Sequence, residues 1–264
     1  MSADKEQEYF CDGLADELLN MLAKVEGLRV TARTSSFSFK GEKVDIATIG
    51  EKLNVESVLE GSVRKADNQV RITTQLIKVP DGYHLWSETY DRSLDDIFVI
   101  QEEIARAVVG ALKIKLLAEP QARLARHQTK NMEAYNLYLL GRHYYSSGLE
   151  PDLMKAIKYF ERALEVDSTY ALAYAGLADA YTILGVYNIL PPEDTWPNAR
   201  AAAEKALVID DGLAEAHTSL AMVKLYYEWD WPGAEREFKR ALEINPNSVD
   251  AHLWYADFLS AMLR

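Results

Sequence analysis

Histidine side chains are the residues in this chain most suited to binding a metal. The five histidines are His84, His127, His143, His217 and His252. The last two occupy equivalent positions in a repeated pattern described below, so stacking of the repeats could bring them close together. A two-histidine site would still need further ligands in the right geometry. We therefore interpret these histidines as packing residues and predict no metal site.

Carboxylates and thiols are the next candidates, because they can act as general acids, bases or nucleophiles. Asp95 and Asp96 are adjacent, but acids at the start of a predicted helix are usually capping groups. His84 and Glu88 share one face of a predicted strand about 13 Å apart, from the ~3.3 Å rise per residue, which is too far for direct proton transfer. Cys11 lies in an apolar and acidic segment that does not favour a thiolate. None of these residues is predicted to be catalytic.

The short motifs that hold phosphates or activate a nucleophile are absent from the sequence. It contains no G-x-x-x-x-G-K-[ST], G-x-G-x-x-G, H-E-x-x-H or G-x-S-x-G pattern. The nearest glycine feature, Glu60-Gly61-Ser62, lies inside a predicted strand. We therefore predict no cofactor, no catalytic residue and no enzymatic activity in this chain.

The charge of the chain excludes further classes of function. Its 264 residues include 29 basic and 41 acidic side chains, a formal net charge of −12, and acids outnumber bases on both sides of Arg123. Without a basic face the chain is not suited to nucleic-acid phosphates or anionic membranes. A single cysteine allows no internal disulfide, and no apolar stretch approaches the ~18 residues of a membrane span. We expect a soluble acidic segment.

The two halves of the chain predict different secondary-structure elements, and the pattern is clearer in the second half. Small residues recur at Gly141, Ala178, Ala221 and Ala256, at intervals of 37, 43 and 35. Residues spaced by four and three positions share one helical face, where small side chains allow close helix contacts. Such trios follow the first three small residues: Ala156-Phe160-Ala163, Ala199-Ala203-Ala206 and Ala234-Phe238-Ala241.

This pattern resembles the tetratricopeptide repeat, a helix–turn–helix unit of about 34 residues. The resemblance covers residues from about 133 to the end of the chain, and the excess lengths fall in loops between paired helices. It implies an all-α solenoid of three full repeats followed by a lone first helix, Val249–Leu263. Because such a helix cannot bury its apolar face alone, it could support homo-oligomer formation.

The resemblance also implies a concave groove that binds a protein or peptide partner. The groove positions of the family fall on Tyr135, Tyr138, Arg142, Tyr145, Leu172, Ala175, Asp179, Thr182, Glu215, Thr218, Met222, Leu225 and Tyr226. Aromatic and methionine side chains suit peptide recognition, although some of these residues could instead pack against neighbouring repeats. Chaperone-binding members clamp a carboxylate with basic and amide side chains, and only Arg142 is present here. The resemblance therefore disfavours chaperone binding.

The first half of the chain predicts a small α+β domain. Turn and capping signals separate its elements, and the order α-β-α-β-β-β-α is typical of a sheet covered by helices. The predicted elements are a helix Asp12–Val25, a strand Leu28–Ala32, a helix from Asp45 to Leu53, strands Ser57–Lys65, Gln69–Val79 and Tyr83–Tyr90, and a helix from Asp95 to about Leu116.

Four segments of this half together resemble the bacterial TolB-like amino-terminal domain, which commonly precedes tetratricopeptide repeats. They are Phe10–Leu18, Arg33–Phe37, Val58–Arg64 and Leu85–Arg92, and the match spans residues 1 to about 116. In that family an apolar first strand precedes the segment that matches residues 1–10. We expect the sheet to lack this strand, and we expect Met1 to be an internal methionine of a longer protein or a shortened start.

The two resemblances imply a TolB-like domain at residues 1–118, a connection at 119–132 and repeats at 133–264. The leading hypothesis is a non-catalytic interaction and regulatory region. In the alternatives, the chain is the regulatory tail of a class III nucleotide cyclase or of a winged-helix transcription regulator whose output module lies upstream. A transmembrane helix often precedes this region in the family, so the segment could be cytoplasmic or periplasmic.

Overall fold

The computed structural model describes residues 5–25, 27–112 and 129–263. The chain forms two compact units, residues 1–126 and residues 127–264. Most of the connection expected at residues 119–132 lies outside the described residues, as do Lys113 to Leu116 at the end of the last helix predicted for the first half. The domain boundaries stay a prediction.

The first unit combines helices with a small antiparallel sheet. Its described elements are α1 (Lys5–Ala23), α2 (Arg33–Phe37), α3 (Ile46–Leu53), β1 (Ser57–Ala66), β2 (Gln69–Lys78), β3 (His84–Ser93), a 3₁₀ turn (Leu94–Asp96) and α4 (Ile97–Ala111). Asp45 caps α3 as predicted, because its carboxylate accepts a hydrogen bond of 2.8 Å from the backbone N–H of Thr48. The hairpin turns contain Asp67 and Gly82, both with positive φ.

The sheet has the order β1-β2-β3 within the described residues, and its core lies on one face. Val70, Ile72 and Leu76 alternate along β2 and are buried. Helix α1 contacts β1, α4 contacts β3, and the two helices contact each other. The opposite face is polar, with the Thr73 and Thr89 hydroxyls 3.2 Å apart across β2 and β3. The predicted small sheet with one helix-covered face is therefore present.

Two expectations for this unit are wrong. Residues 28–32 form no strand, because a strand needs a hydrogen-bonded neighbour and none of the described strands lies beside this segment. The segment instead leads into α2, where the Arg33 side chain lies 3.4 Å from Asp16 and its guanidinium lies 4.3 Å from the centre of the Phe37 ring. Helix α1 also begins before the predicted Asp12, because Phe10 extends its buried stripe.

The second unit consists of paired helices. They are α5 (Met132–Tyr145), α6 (Glu150–Val166), α7 (Ala171–Val186), α8 (Pro192–Ile209), α9 (Ala214–Val223), which continues into a π-helical turn (Lys224–Glu228), α10 (Trp231–Ile244) and α11 (Val249–Ala261). The short loops within α5–α6, α7–α8 and α9–α10 make the members of each pair run antiparallel. The prediction of helical repeats is confirmed.

Phe160 shows why small residues recur on the first helices. Its ring is fully buried, and a methyl group on Gly141 of α5 or Gly176 of α7 would come within 2.4 Å and 2.6 Å of it. Phe160 of α6 therefore fills the space between two successive first helices, and the ring fits only where those helices carry no side chain. Phe238 holds the matching place in α10 and packs against Phe258 at 6.0 Å between ring centres.

The turn after each second helix contains the same hydrogen bond. The residue that follows the helix is Asp167, Asp210 or Asn245, and its side chain accepts a hydrogen bond from the backbone N–H two residues further on, at 2.9, 2.9 and 3.1 Å. This bond folds the chain back toward the next first helix. The ends of the three second helices are therefore three copies of one turn.

Candidate binding groove

The first helices of the pairs together line a concave pocket. Contacts join α5 to α7, α7 to α9 and α9 to α11, so these four helices share one surface. The pocket on that surface is lined by Tyr145, Asp179, Thr182, Ile183, Glu215, Thr218, Ser219, Met222, Ser248, Asp250 and Trp254. We call this pocket the groove.

The structure brings half of the predicted groove residues together. Tyr145, Asp179, Thr182, Thr218 and Met222 line the pocket, and Glu215 lies among them. Their shared location follows from the helical repeat, which places equivalent positions of successive first helices side by side. Their role in binding stays a prediction.

Other predicted groove residues are packed inside the unit. Tyr135 and Tyr138 are each 2% exposed, and the Tyr138 ring lies 5.2 Å from the ring of Tyr170. Ala175 and Leu225 are buried too, and Leu172 packs against a buried cluster. These side chains face neighbouring helices rather than the pocket, so the packing interpretation applies to them and we leave them out of the binding surface.

Two further predicted residues do not line the pocket. Tyr226 is 39% exposed; its hydroxyl donates to Asp257 at 2.8 Å and its ring stacks on Trp196 at 6.0 Å. The guanidinium of Arg142 lies 3.8 Å from the carboxylate of the lining residue Asp179. Tyr226 therefore contacts α8 and α11 outside the pocket lining, and Arg142 acts through Asp179.

Asp179 is the most perturbed acid of the groove. Burial raises its pKa to about 7, while the hydrogen bond from Ser219 and the charge of Arg142 oppose the rise. Asp250 and Glu215 raise the pKa of Asp179 further, so all three carboxylates act on one another electrostatically. Burial also holds the pKa of Tyr145 well above its usual value. The pocket thus gathers three acids around a neutral phenol.

Some polar atoms of the pocket have no hydrogen-bond partner among the described residues. They are the hydroxyl of Thr182 and one carboxylate oxygen of Glu215. Thr182 is only 4% exposed. A buried polar atom without a partner costs about 1–3 kcal/mol, so a ligand that donates hydrogen bonds here would recover part of that cost.

Sequence reasoning missed five lining residues, and the repeat intervals could have found one of them. Adding the last interval of 35 to the predicted residue Glu215 gives Asp250 in α11. Because the lone final helix was not assigned groove positions, Asp250 was passed over. Trp254 is the equivalent of Ser219, which was itself not predicted, and Ile183, Ser219 and Ser248 carry no distinctive signal.

His217 and His252 contact the turns that precede their helices. The Nε2 atoms of His217 and His252 lie 3.1 Å and 2.8 Å from the carbonyl oxygens of Asp211 and Pro246, six positions earlier in each case. No group of three or more histidine, cysteine or acidic residues in the described part of the chain is arranged to hold a metal ion. In the same part of the chain, no helix combines the length and apolar character needed to cross a bilayer.

Comparison with known proteins gives one curated relative. No protein-family profile matches the chain. The sequence is 39% identical over 224 residues to a protein of Rhizobium meliloti (strain 1021) named "Putative adenylate cyclase 3". The aligned region is 84% of this chain and 38% of that protein, so the chain spans well under half of its relative.

Solved structures with similar helices are tetratricopeptide domains. The Sgt2 TPR domain from Aspergillus fumigatus gives a TM-score of 0.42 at 19% identity, over 52% of this chain and 83% of that one. The first TPR domain of Spaghetti (RPAP3), bound to the HSP90 peptide SRMEEVD, gives a TM-score of 0.39 at 17% identity, over 50% and 94%. The helix pairing of this chain is established by its own contacts.

Proposed function

We propose that this chain is a non-catalytic interaction and regulatory region whose tetratricopeptide-like repeats bind a protein or peptide partner in the groove. The observation that carries this proposal is the pocket itself, which four first helices build from acidic, aromatic and methionine side chains. Such side chains on a preformed concave surface suit the recognition of an extended peptide. We also propose that residues 1–118 form a TolB-like domain.

A capture experiment tests this function. The full chain and two variants would be used as baits in a lysate of the source cells. The variant Asp250→Arg reverses a charge in the groove, and Glu243→Arg makes the same change on the exposed side of α10. We expect proteins that are captured by the wild type and by Glu243→Arg to be lost with Asp250→Arg. Equal capture by all three baits, or no capture, would contradict the proposal.

The second candidate function is regulation of a nucleotide cyclase. The observation that favours it is the 39% identity to the curated relative whose name includes adenylate cyclase. No residue of this chain is proposed to carry out the reaction. The test is to purify the native protein from its source cells, measure its intact mass and assay cyclic-nucleotide formation. A mass of 29.8 kDa without cyclase activity would contradict this candidate.

A further inference from the structure

We propose that the pocket of the groove takes a cationic side chain, lysine or arginine, from the partner. This inference deepens the function proposed above and rests on it. It assigns a ligand chemistry opposite to the carboxylate that chaperone-binding members of the tetratricopeptide family clamp. The negative charge of the lining, two acceptor atoms and the aromatic side chains favour a cationic ligand.

The lining is negatively charged. Asp179, Glu215 and Asp250 come from α7, α9 and α11, and the described lining residues include no lysine or arginine. The guanidinium of Arg142, which is not a lining residue, approaches Asp179 at 3.8 Å. An anionic ligand would meet like charges along the lining of the pocket, whereas a cationic ligand would be attracted by them.

Two acceptor atoms in the pocket are ready for a donor. The Thr182 hydroxyl is buried and has no hydrogen-bond partner among the described residues, and the same holds for one oxygen of Glu215. Only 4% of the surface of Thr182 is exposed. A lysine ammonium offers three donors and an arginine guanidinium five. A ligand carboxylate offers none and would leave the Glu215 oxygen without a donor.

Aromatic and apolar side chains complete a site for a long cationic side chain. Trp254 and Tyr145 line the pocket together with Met222 and Ile183. Aromatic faces attract ammonium and guanidinium groups, and the methylene stem of the ligand can pack against Met222.

Selection from a phage-displayed library of random dodecapeptides tests the inference on the full chain. The library is selected on the wild type, on the groove variant Glu215→Gln with Asp250→Asn, and on the control Glu243→Gln with Asp194→Asn. The control makes the same chemical changes on second helices, and Asp194 lies in the first turn of α8 as Asp250 lies in the first turn of α11. Thermal unfolding shows whether each variant is folded.

We expect peptides selected on the wild type to share a lysine or arginine at one position. Calorimetry with a synthetic copy should show binding that is about 10-fold or more weaker for the groove variant and unchanged for the control. If the groove variant does not fold, replacing the shared lysine by norleucine, or arginine by citrulline, in the peptide should weaken binding to the wild type in the same way.

The remaining outcomes overturn the inference and separate it from the proposed function. Selected peptides without a shared basic residue, or with an acidic C-terminus, would show that the groove binds peptides through another chemistry. If the norleucine or citrulline peptide bound the wild type as tightly as the original peptide, the conclusion would be the same. Failure to enrich any peptide on the wild type over an uncoated surface would count against both the cationic pocket and the proposed function.

Discussion

Asp179 is the residue on which the charge of the groove depends near neutral pH. Its pKa of about 7 arises mainly from burial, so the carboxyl is close to half ionised at pH 7. The sequence identified Asp179 as a groove residue through the family pattern. It did not reveal the ionisation, because burial and the approach of Asp250 and Glu215 follow from packing between helices that are distant in sequence.

The raised pKa of Asp179 predicts a pH-dependent stability. An acid whose folded-state pKa lies above its usual 3.8 binds more protons in the folded state, so folding becomes less favourable as pH rises from about 4 to 7. Asp179→Asn should remove this dependence, so that the variant gains on the order of 1–3 kcal/mol relative to the wild type between pH 4 and pH 8. The groups facing Asp179 are Arg142, Ser219, Glu215 and Asp250.

Urea unfolding at several pH values checks this prediction, with Asp194→Asn as the control. The control variant should run parallel to the wild type across the pH range. A difference between Asp179→Asn and the wild type that stays constant with pH would show that Asp179 ionises in the folded state as it does in an unfolded chain.

Glu237 predicts the opposite pH dependence. The His217 imidazole at 2.7 Å and the Lys224 ammonium at 2.6 Å stabilise its carboxylate and lower its pKa to about 2. A lowered pKa contributes stability that is present above about pH 4.5 and lost as pH falls toward 2. Glu237→Gln should therefore cost about 1–3 kcal/mol at pH 7 and almost nothing near pH 2. Urea unfolding of the wild type and the variant at the two pH values measures this difference. An equal loss of unfolding free energy at both values would contradict the prediction.

At the scale of elements, the helices were easier to predict than the strands. Small residues recur on the first helices because the ring of Phe160 must fit between α5 and α7, and that recurrence is visible in the sequence. A strand is defined by its neighbour, which the sequence does not show. Residues 28–32 have strand composition but lie beside no described strand, so the prediction there was wrong.

Adding one methyl group beside Phe160 tests the packing of the helix pairs. Gly141→Ala places a Cβ 2.4 Å from the Phe160 ring, and overpacking of this kind costs about 1–3 kcal/mol. The change should destabilise the protein even though alanine favours a helix by ~1 kcal/mol over glycine.

Gly110→Ala in α4 is the matched control, because no atom of the described residues lies within 4 Å of the added methyl group. It should leave stability unchanged or raise it slightly, as measured by thermal unfolding. A stabilised Gly141→Ala variant would contradict the close packing of α5 on α6. Combining Gly141→Ala with Phe160→Leu should recover part of the loss.

At the scale of the whole molecule, the sequence indicated the class of protein better than the place of its site. Repeat intervals and four short segments indicated a mixed first half and a helical second half. The acid and aromatic side chains of α11, Asp250 and Trp254, were missed because the pocket forms only when four helices stack.

The net charge of −12 and the acidic groove predict that partner binding weakens with salt. For a cationic peptide selected on the wild type, affinity should fall several-fold between about 0.05 M and about 0.5 M ionic strength, because screening shortens the reach of exposed charges. Calorimetry at a series of sodium chloride concentrations measures the affinity across this range. An affinity that is independent of salt would indicate apolar contacts as the main source of binding.

The most direct test of the account is amide hydrogen exchange of the full chain with and without a selected peptide. We predict slower exchange with the peptide in Ala171–Val186, in Ala214–Glu228 and in Val249–Ala261, which are three of the four first helices that line the pocket. The second helices Pro192–Ile209 and Trp231–Ile244 should change much less. Protection confined to these second helices or to the first unit would contradict the claim that the groove is the binding site.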